Sequence, residues 1–360
     1  ALRLGAFQLL HMDRIPARAA IDESVELAKA AGHRFASGMV NAVLRKLSTA
    51  TRAVGSDDSG AYPKWMFERW VEHFGEAAAC EVCRHGQLQP VLALRLENAD
   101  VEKELADADV ALLPGALLSA ARIVDAGDLV GNGAFREGRV RVQDEGSQLV
   151  GEIAGKGGAI LDCCAAPGGK TLILAERNPR ARIVACETSE PRLDALRTRL
   201  APLGDRVECR LADATGLDDQ DGFDLVLADV PCSGTGTLGR NPEIRHRLSV
   251  DEFARQAERQ RRILESALRA VRPGGRVVYS TCSLEPEENE QVVVAALGER
   301  TDVRLAPIAT RLEEMEREGV LVESALDKLR ECVTPEGYLR LMPGGFGTDG
   351  FFVVQLEKVR

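Results

Sequence analysis

Residues 158–178 read GAILDCCAAPGGKTLILAERN, and the change of pattern inside them decides the fold. Gly158–Cys164 reads as a short buried strand and Gly168–Asn178 as a helix. The turn between them carries Gly168 and Gly169, which let a ligand approach the backbone where the helix amino end offers unpaired N–H groups. The alternation continues outward. Ser147–Ala154 reads as a helix, Ala181–Glu187 as a strand, Ser189–Gly204 as a helix, and Val207–Asp213 and Phe223–Pro231 as strands. A long helix over Asp251–Val271 and a strand over Gly274–Ser283 follow. Strands alternating with helices predict an α/β domain built on a mostly parallel sheet covered on both faces. Its working site is expected beyond the strands' carboxyl ends.

The glycine turn is not a phosphate loop, because the position five before Gly169 is Cys164 rather than glycine. A G-x-G-x-x-G fingerprint is absent too, which argues against a dinucleotide oxidoreductase. Acids mark the strand ends instead. Glu187 follows Asp162 by 25 residues, where a carboxylate can accept the ribose hydroxyls of an adenosine cofactor; Asp213 and Asp229 end the next two strands. Two cysteines stand at neighbouring strand ends, Cys232 in DVPCSGTGTLGRNPEI and Cys282 in YSTCSLEPEENE. A thiol there is either a small core residue or a nucleophile facing the crevice. The two could also form a disulfide or hold a metal, but no further ligand shares the spacing of a zinc site. Cys80, Cys83 and His85 make at most half of one and read as a helix face.

The chain has 360 residues, 45% hydrophobic, with a formal net charge of -10. That length predicts two or three domains. No run of about 18 apolar residues predicts a membrane span. Nine cysteines without a disulfide framework, and no signal-peptide pattern, predict a reducing cytoplasmic setting. An acidic chain does not bind nucleic acid through its overall charge, but a local excess of arginine from Arg240 to Arg276 predicts a basic face. The front 50 or so residues read as helices, among them one capped by Asp22 and stopped at Gly32. Ala53–Pro63 reads as a linker, Pro63–Ala79 as one helix, and the stretch to Arg139 as loose α+β structure. The chain reads as though it begins inside a domain.

With DCCAAPGGKT, DVPCSGTGTLGRNPEI, YSTCSLEPEENE and the tail GTDGFFVVQL, the chain resembles the RNA 5-methylcytosine methyltransferases of the NOP2/Sun class, and within it the bacterial RsmB (Sun, Fmu) branch acting on 16S rRNA. GAFQLLHMDRIPARAAIDESVELAK and VNAVLRKL are similar to the later part of the NusB-like domain that these enzymes carry in front, and FREGRVRVQDEGSQLV to their lead-in to the catalytic domain. Gly146 and His246 depart from residues common in that class. The resemblance implies a partial NusB-like helical RNA-binding domain at 1–52, an α+β linker or RNA-binding subdomain at 53–142 and a Rossmann-like S-adenosylmethionine-dependent methyltransferase domain at 143–360. It implies Cys282 as nucleophile, Cys232 as the residue assisting release, and Asp229 and Lys170 beside the base. The cofactor, S-adenosyl-L-methionine, would be held by Cys164, Ala165, Ala166, Pro167, Gly168, Gly169, Lys170, Glu187, Asp213 and Asp229, without a metal. The substrate implied is an unstacked cytosine of 16S rRNA, with no membrane and no obligate protein partner.

Overall fold

The computed structural model describes residues 1–12, 14–49, 58–298 and 300–359. The chain divides into two compact units, Ala1–Asp57 and Asp58–Arg360. In the first, helices Leu2–His11, Ala17–Ala30 and Ser37–Thr49 close over Ile21, Ala28, Val40 and Leu44. The second helix starts earlier than expected. Pro16, extended at ψ 133°, precedes its first residue, and Asp22 is not a cap but lies inside the helix, 3.6 Å from Arg18. Of the expected linker, residues 53–57 lie outside the described residues, and Asp58–Ala61 forms a short 3₁₀ turn.

The second unit opens with two helices, Lys64–Phe74 and Glu76–His85, where one was expected. Gly75 separates them at φ 82°, a left-handed value that stops a helix. Their apolar faces meet at the buried Met66, Trp70, Val82 and Cys83, so Cys83 is a core residue as the helix-face reading required. An antiparallel sheet follows, made of β1 (Ala93–Leu96), β2 (Ala111–Pro114), β3 (Ala121–Ala126) and β4 (Val140–Val142) in the order β2-β3-β1-β4.

The larger sheet contains β5 (Ala159–Asp162), β6 (Arg182–Glu187), β7 (Val207–Leu211), β8 (Phe223–Asp229), β9 (Val271–Thr281), β10 (Val303–Ala306), β11 (Leu339–Leu341) and β12 (Phe351–Lys358). Its order is β10-β12-β9-β8-β5-β6-β7, with β11 also on β12. The pairs among β5 to β9 are parallel, as the alternating pattern predicts, and β12 runs antiparallel between β9 and β10. The strand order reverses at β5, whose neighbours are β6 and β8, so the carboxyl ends of these strands open on a switch point. Apolar clusters lie on both faces, one including Leu149, Ile153 and Leu174, the other Ile263, Leu264 and Tyr279.

Two buried charges join the small sheet and its β2–β3 loop to helices that pack on the large one. Arg95 of β1 donates to Glu152 at 2.7 Å and to Glu176 at 2.8 Å. Glu145, at the start of helix Glu145–Ala154, accepts from the backbone N–H groups of Ala116, Leu117 and Leu118 at 2.7–2.9 Å. A buried carboxylate surrounded by three donors keeps the solvation that burial removes, so the lead-in helix is held at a defined position against the loop from 115 to 118.

Candidate active site

The carboxyl ends of β5, β6, β8 and β9 surround a cavity of about 220 Å³. Cys164 and Ala166 come to it from the glycine turn, Glu187 from the end of β6, Asp213 from beyond β7, and Asp229, Cys232 and Cys282 from the end of β8 and just beyond β8 and β9. A second cavity of about 100 Å³ shares Cys164, Ala166 and Asp229 with the first and adds Ala165, Pro167, Gly169 and Lys170. Every expected site residue but one therefore lines one of the two. Gly168 lines neither. Its φ of 99° turns its Cα hydrogens toward the neighbouring helix, where an added Cβ would meet Leu196 at 3.0 Å, so glycine is what allows the turn.

The carboxylates are held before any ligand arrives. Glu187, 4% exposed, accepts from the N–H groups of Thr188 and Ser189 at 2.9 Å through Oε1, while Oε2 has Arg192 at 3.4 Å. Asp213 accepts from the Thr215 N–H at 2.9 Å, a bond that lowers its pKa. Asp229 takes Ser280 Oγ on Oδ1 and Lys170 Nζ on Oδ2, both at 2.7 Å. Burial works against the Lys170 charge, but the Asp229 carboxylate outweighs it and the ammonium pKa is raised. Lys170 thus carries its charge as half of an ion pair, with Phe351 beneath it at 5.7 Å.

The two thiols are in contact, Sγ to Sγ 3.4 Å. Three backbone bonds bring them together. Val230 N–H donates to Ser280 O at 3.0 Å, Gly236 N–H to Cys282 O at 2.9 Å, and Gly350 N–H to Gly236 O at 2.8 Å. Gly236 must be glycine, since a Cβ there would lie 2.6 Å from Gly350 O and 2.8 Å from Cys282 O. The hydrogen bond with Cys282 and burial together raise the Cys232 pKa well above its ordinary value, so Cys232 is a thiol at neutral pH. Cys163 and Cys164 are likewise raised by burial, and Cys186 is pushed to about 12. Among the described residues no cluster of His, Cys, Asp or Glu could hold a metal, and no helix is long and apolar enough to cross a membrane.

The expected arginine face is mostly consumed inside the protein. Arg240 is tied to Asp349 at 2.8 Å and Asp144 at 3.0 Å, and Arg245 is buried over Tyr62 at 4.3 Å. Arg255, Arg261 and Arg272 pair with Glu252, with Glu258 and Glu265, and with Asp224. Arg259 and Arg262 have no ion pair among the described residues, and Arg259 lines the larger cavity together with Ile263, one turn further along helix Val250–Ala270. Sequence reasoning did not place Arg259, Ile263, Thr188 or Arg192 at the site. The spacing of four between Arg259 and Ile263 was the available signal for the first two.

The chain is similar to known proteins along most of its length. Residues 154–357 match the family described as 16S rRNA methyltransferase RsmB/F, and residues 1–49 match the NusB family. The chain is 31% identical to the probable ribosomal RNA small subunit methyltransferase B of Bacillus subtilis (strain 168), over 99% of its own length and 82% of that protein's. It is 35% identical to the ribosomal RNA small subunit methyltransferase B of Vibrio cholerae, over 84% and 73%. The crystal structure of a methyltransferase homolog protein from Pyrococcus horikoshii superimposes with a TM-score of 0.66 at 26% identity, covering 84% of this chain and 98% of that one.

Proposed function

The chain belongs to the RsmB/F family of 16S rRNA methyltransferases, and from that premise we propose that it methylates carbon 5 of a cytosine in 16S rRNA, with S-adenosylmethionine as donor and a covalent bond between Cys282 and the base. The observation that carries this reading is the contact between Cys232 and Cys282 on the wall of the larger cavity. Carbon 5 of cytosine is a poor nucleophile until a thiolate adds at C6, and the added sulfur must later be expelled. That chemistry asks for one nucleophile and one group for release, and two thiols at adjoining strand ends meet the demand.

The residues present fit the cofactor. Two preset carboxylates, Glu187 and Asp213, lie among the larger cavity's walls for the ribose and the adenine side, and the turn from Cys164 to Lys170 lies at a helix amino end suited to a carboxylate. Gly168 serves there by shaping the turn. When bound, S-adenosylmethionine supplies an electrophilic methyl group. The protein's own groups do the rest. Cys282 Sγ adds to C6 while the proton it gives up is taken at N3, whose N–H then donates to Asp229, the carboxylate that Lys170 and Ser280 fix in place. The Cys232 and Cys282 sulfurs share a hydrogen bond before attack. After methylation Cys232, its own proton released to solvent, takes the C5 proton as a thiolate, the electrons of the C5–H bond restore the C5–C6 double bond and expel Cys282 as a thiolate, and N3 gives up its proton. The base must be unstacked to reach the cavity, which favours a loop or incompletely assembled rRNA. In this reading residues 1–52 form an RNA-binding front, 53–142 a second RNA-binding part and 143–360 the catalytic domain. Nine cysteines with no disulfide among the described residues suit a reducing cytoplasm.

Tritium transfer from labelled S-adenosylmethionine to transcribed 16S rRNA tests the reaction, and two variants test the roles. Cys282→Ala should abolish methyl transfer and any adduct. Cys232→Ala should accumulate a protein–RNA species that contains methylated base and survives denaturing electrophoresis. The reverse pattern exchanges the roles, and methylation intact in both variants removes the thiols from the mechanism.

A further inference from the structure

Each of the two cysteines is followed by a serine, and both serines lean on one carboxylate. Glu288 is fully buried, 0% exposed, and lines neither cavity. Its Oε1 accepts from the Ser233 N–H at 2.8 Å and from Gln260 Nε2 at 3.0 Å. Its Oε2 accepts from both serine hydroxyls, Ser233 Oγ and Ser283 Oγ, which are themselves 3.1 Å apart. The same Gln260 amide also donates to Pro231 O at 2.9 Å, one residue before Cys232. The Glu288 backbone carbonyl accepts from Tyr279 Oη at 2.5 Å, three residues before Cys282.

We propose that Glu288 is the positioning residue for the thiol pair: by holding Ser233 and Ser283 on one carboxylate, it fixes the loops that carry Cys232 and Cys282 and so sets the distance between nucleophile and releasing thiol. The inference rests on the roles given to the two cysteines above. Four donors saturate the lone pairs of a carboxylate, so no capacity remains for RNA or cofactor, and the group acts through its neighbours. Glu288 makes no ion pair among the described residues. A buried carboxylate without a cation is tolerated only where hydrogen bonds replace its hydration, and here every such bond is spent on the two cysteine loops or on helix Val250–Ala270 beside them. Burial raises its pKa, and its charge in turn helps to keep the Cys232 proton in place.

The distance between the thiols can be read without any methyl transfer. Equilibration with oxidised and reduced dithiothreitol forms a Cys232–Cys282 disulfide: two thiols give up two protons and two electrons, and the oxidised reagent takes them up as two thiols. Peptide mapping then gives the effective concentration of one sulfur at the other. Glu288→Ala should lower that concentration about tenfold or more and slow adduct formation with transcribed 16S rRNA about a hundredfold, the scale at which an ångström of misplacement acts. Affinity for S-adenosylmethionine by calorimetry should stay within about twofold, as for a site whose contacts are unchanged. Glu288→Gln, which keeps one acceptor oxygen, should fall between Glu288→Ala and the native protein. An unchanged disulfide equilibrium in a folded Glu288→Ala overturns the proposal. Should that variant fail to fold, the Ser233→Ala and Ser283→Ala double variant removes the same tether and decides by the same readout. A lowered effective concentration in variants of a protein whose native form makes neither adduct nor methylated RNA leaves the positioning role standing and rejects the proposed reaction instead.

Discussion

Asp162, the last residue of β5, accepts from Thr171 Oγ1 at 2.7 Å through one oxygen, while the other, Oδ1, is buried without a hydrogen-bond partner among the described residues. Burial lifts its pKa from the ordinary 3.8 to about 6, with the Asp229 charge adding to the rise. The folded protein therefore binds this proton more tightly than the unfolded chain, so the group lowers stability as pH rises from about 4 to about 6, and the loss persists above that. The shift corresponds to about 3 kcal/mol. Asp162→Asn keeps the acceptor for Thr171 and removes the ionisation. Urea unfolding between pH 4 and 7 should show the variant gaining on the native protein by roughly that amount across the range, and parallel curves would mean Asp162 ionises freely. At this scale the sequence is readable where a residue's place follows from a strand pattern. Glu187, Asp229 and Cys282 stand at or just beyond strand ends and so face one crevice. Glu288 was invisible because its partners Ser233 and Gln260 lie 55 and 28 residues away and come together only through the packing of helix Val250–Ala270 on β8 and β9.

At the scale of elements, helix Val250–Ala270 shows why a count of arginines misleads. Arg255 pairs with Glu252 and Arg261 with Glu258, each three residues before it on the helix, and such a pair presents little net field. Arg259, which lines the cavity, and Arg262 on the same helix have no ion pair among the described residues, and RNA binding should depend on them rather than on the run as a whole. The double variant Arg259→Ala and Arg262→Ala should weaken binding to transcribed 16S rRNA and reduce the slope of log affinity against log salt by about one to two. Arg255→Ala should change the slope by less, because its charge is already paired. Equal slopes in all three proteins would assign the rim to the cofactor alone. The same scale separates the legible elements from the others. Parallel strands β5 to β9 follow from alternating apolar and helical segments, whereas the break at Gly75 lies within one continuous amphipathic pattern and needs the left-handed backbone to reveal it.

For the whole molecule, a net charge of -10 and an arginine-poor rim leave little long-range attraction for rRNA. On the proposed reading, the remaining affinity comes from the first compact unit, Ala1–Asp57, which contains the matched NusB-family segment at residues 1–49 and has its own small core. A protein comprising residues 58–360 should keep its S-adenosylmethionine affinity within about twofold, as expected of a compact unit with its own core, and lose at least about tenfold in RNA affinity. Calorimetry and filter binding measure the two, and unchanged RNA affinity would place recognition wholly in the second unit. Topology also imposes an order of events. Strand β12 lies between β9 and β10, and the bond from Gly350 to Gly236 belongs to the contacts that bring the cysteine loops together. During synthesis, residues 271–281 emerge long before their partner Phe351–Lys358, and the nascent chain carries one edge of β9 bare until then. On the proposed reading, Gly236 and the loop carrying Cys232 gain their bond from Gly350 only when the segment leading into β12 docks beside β9.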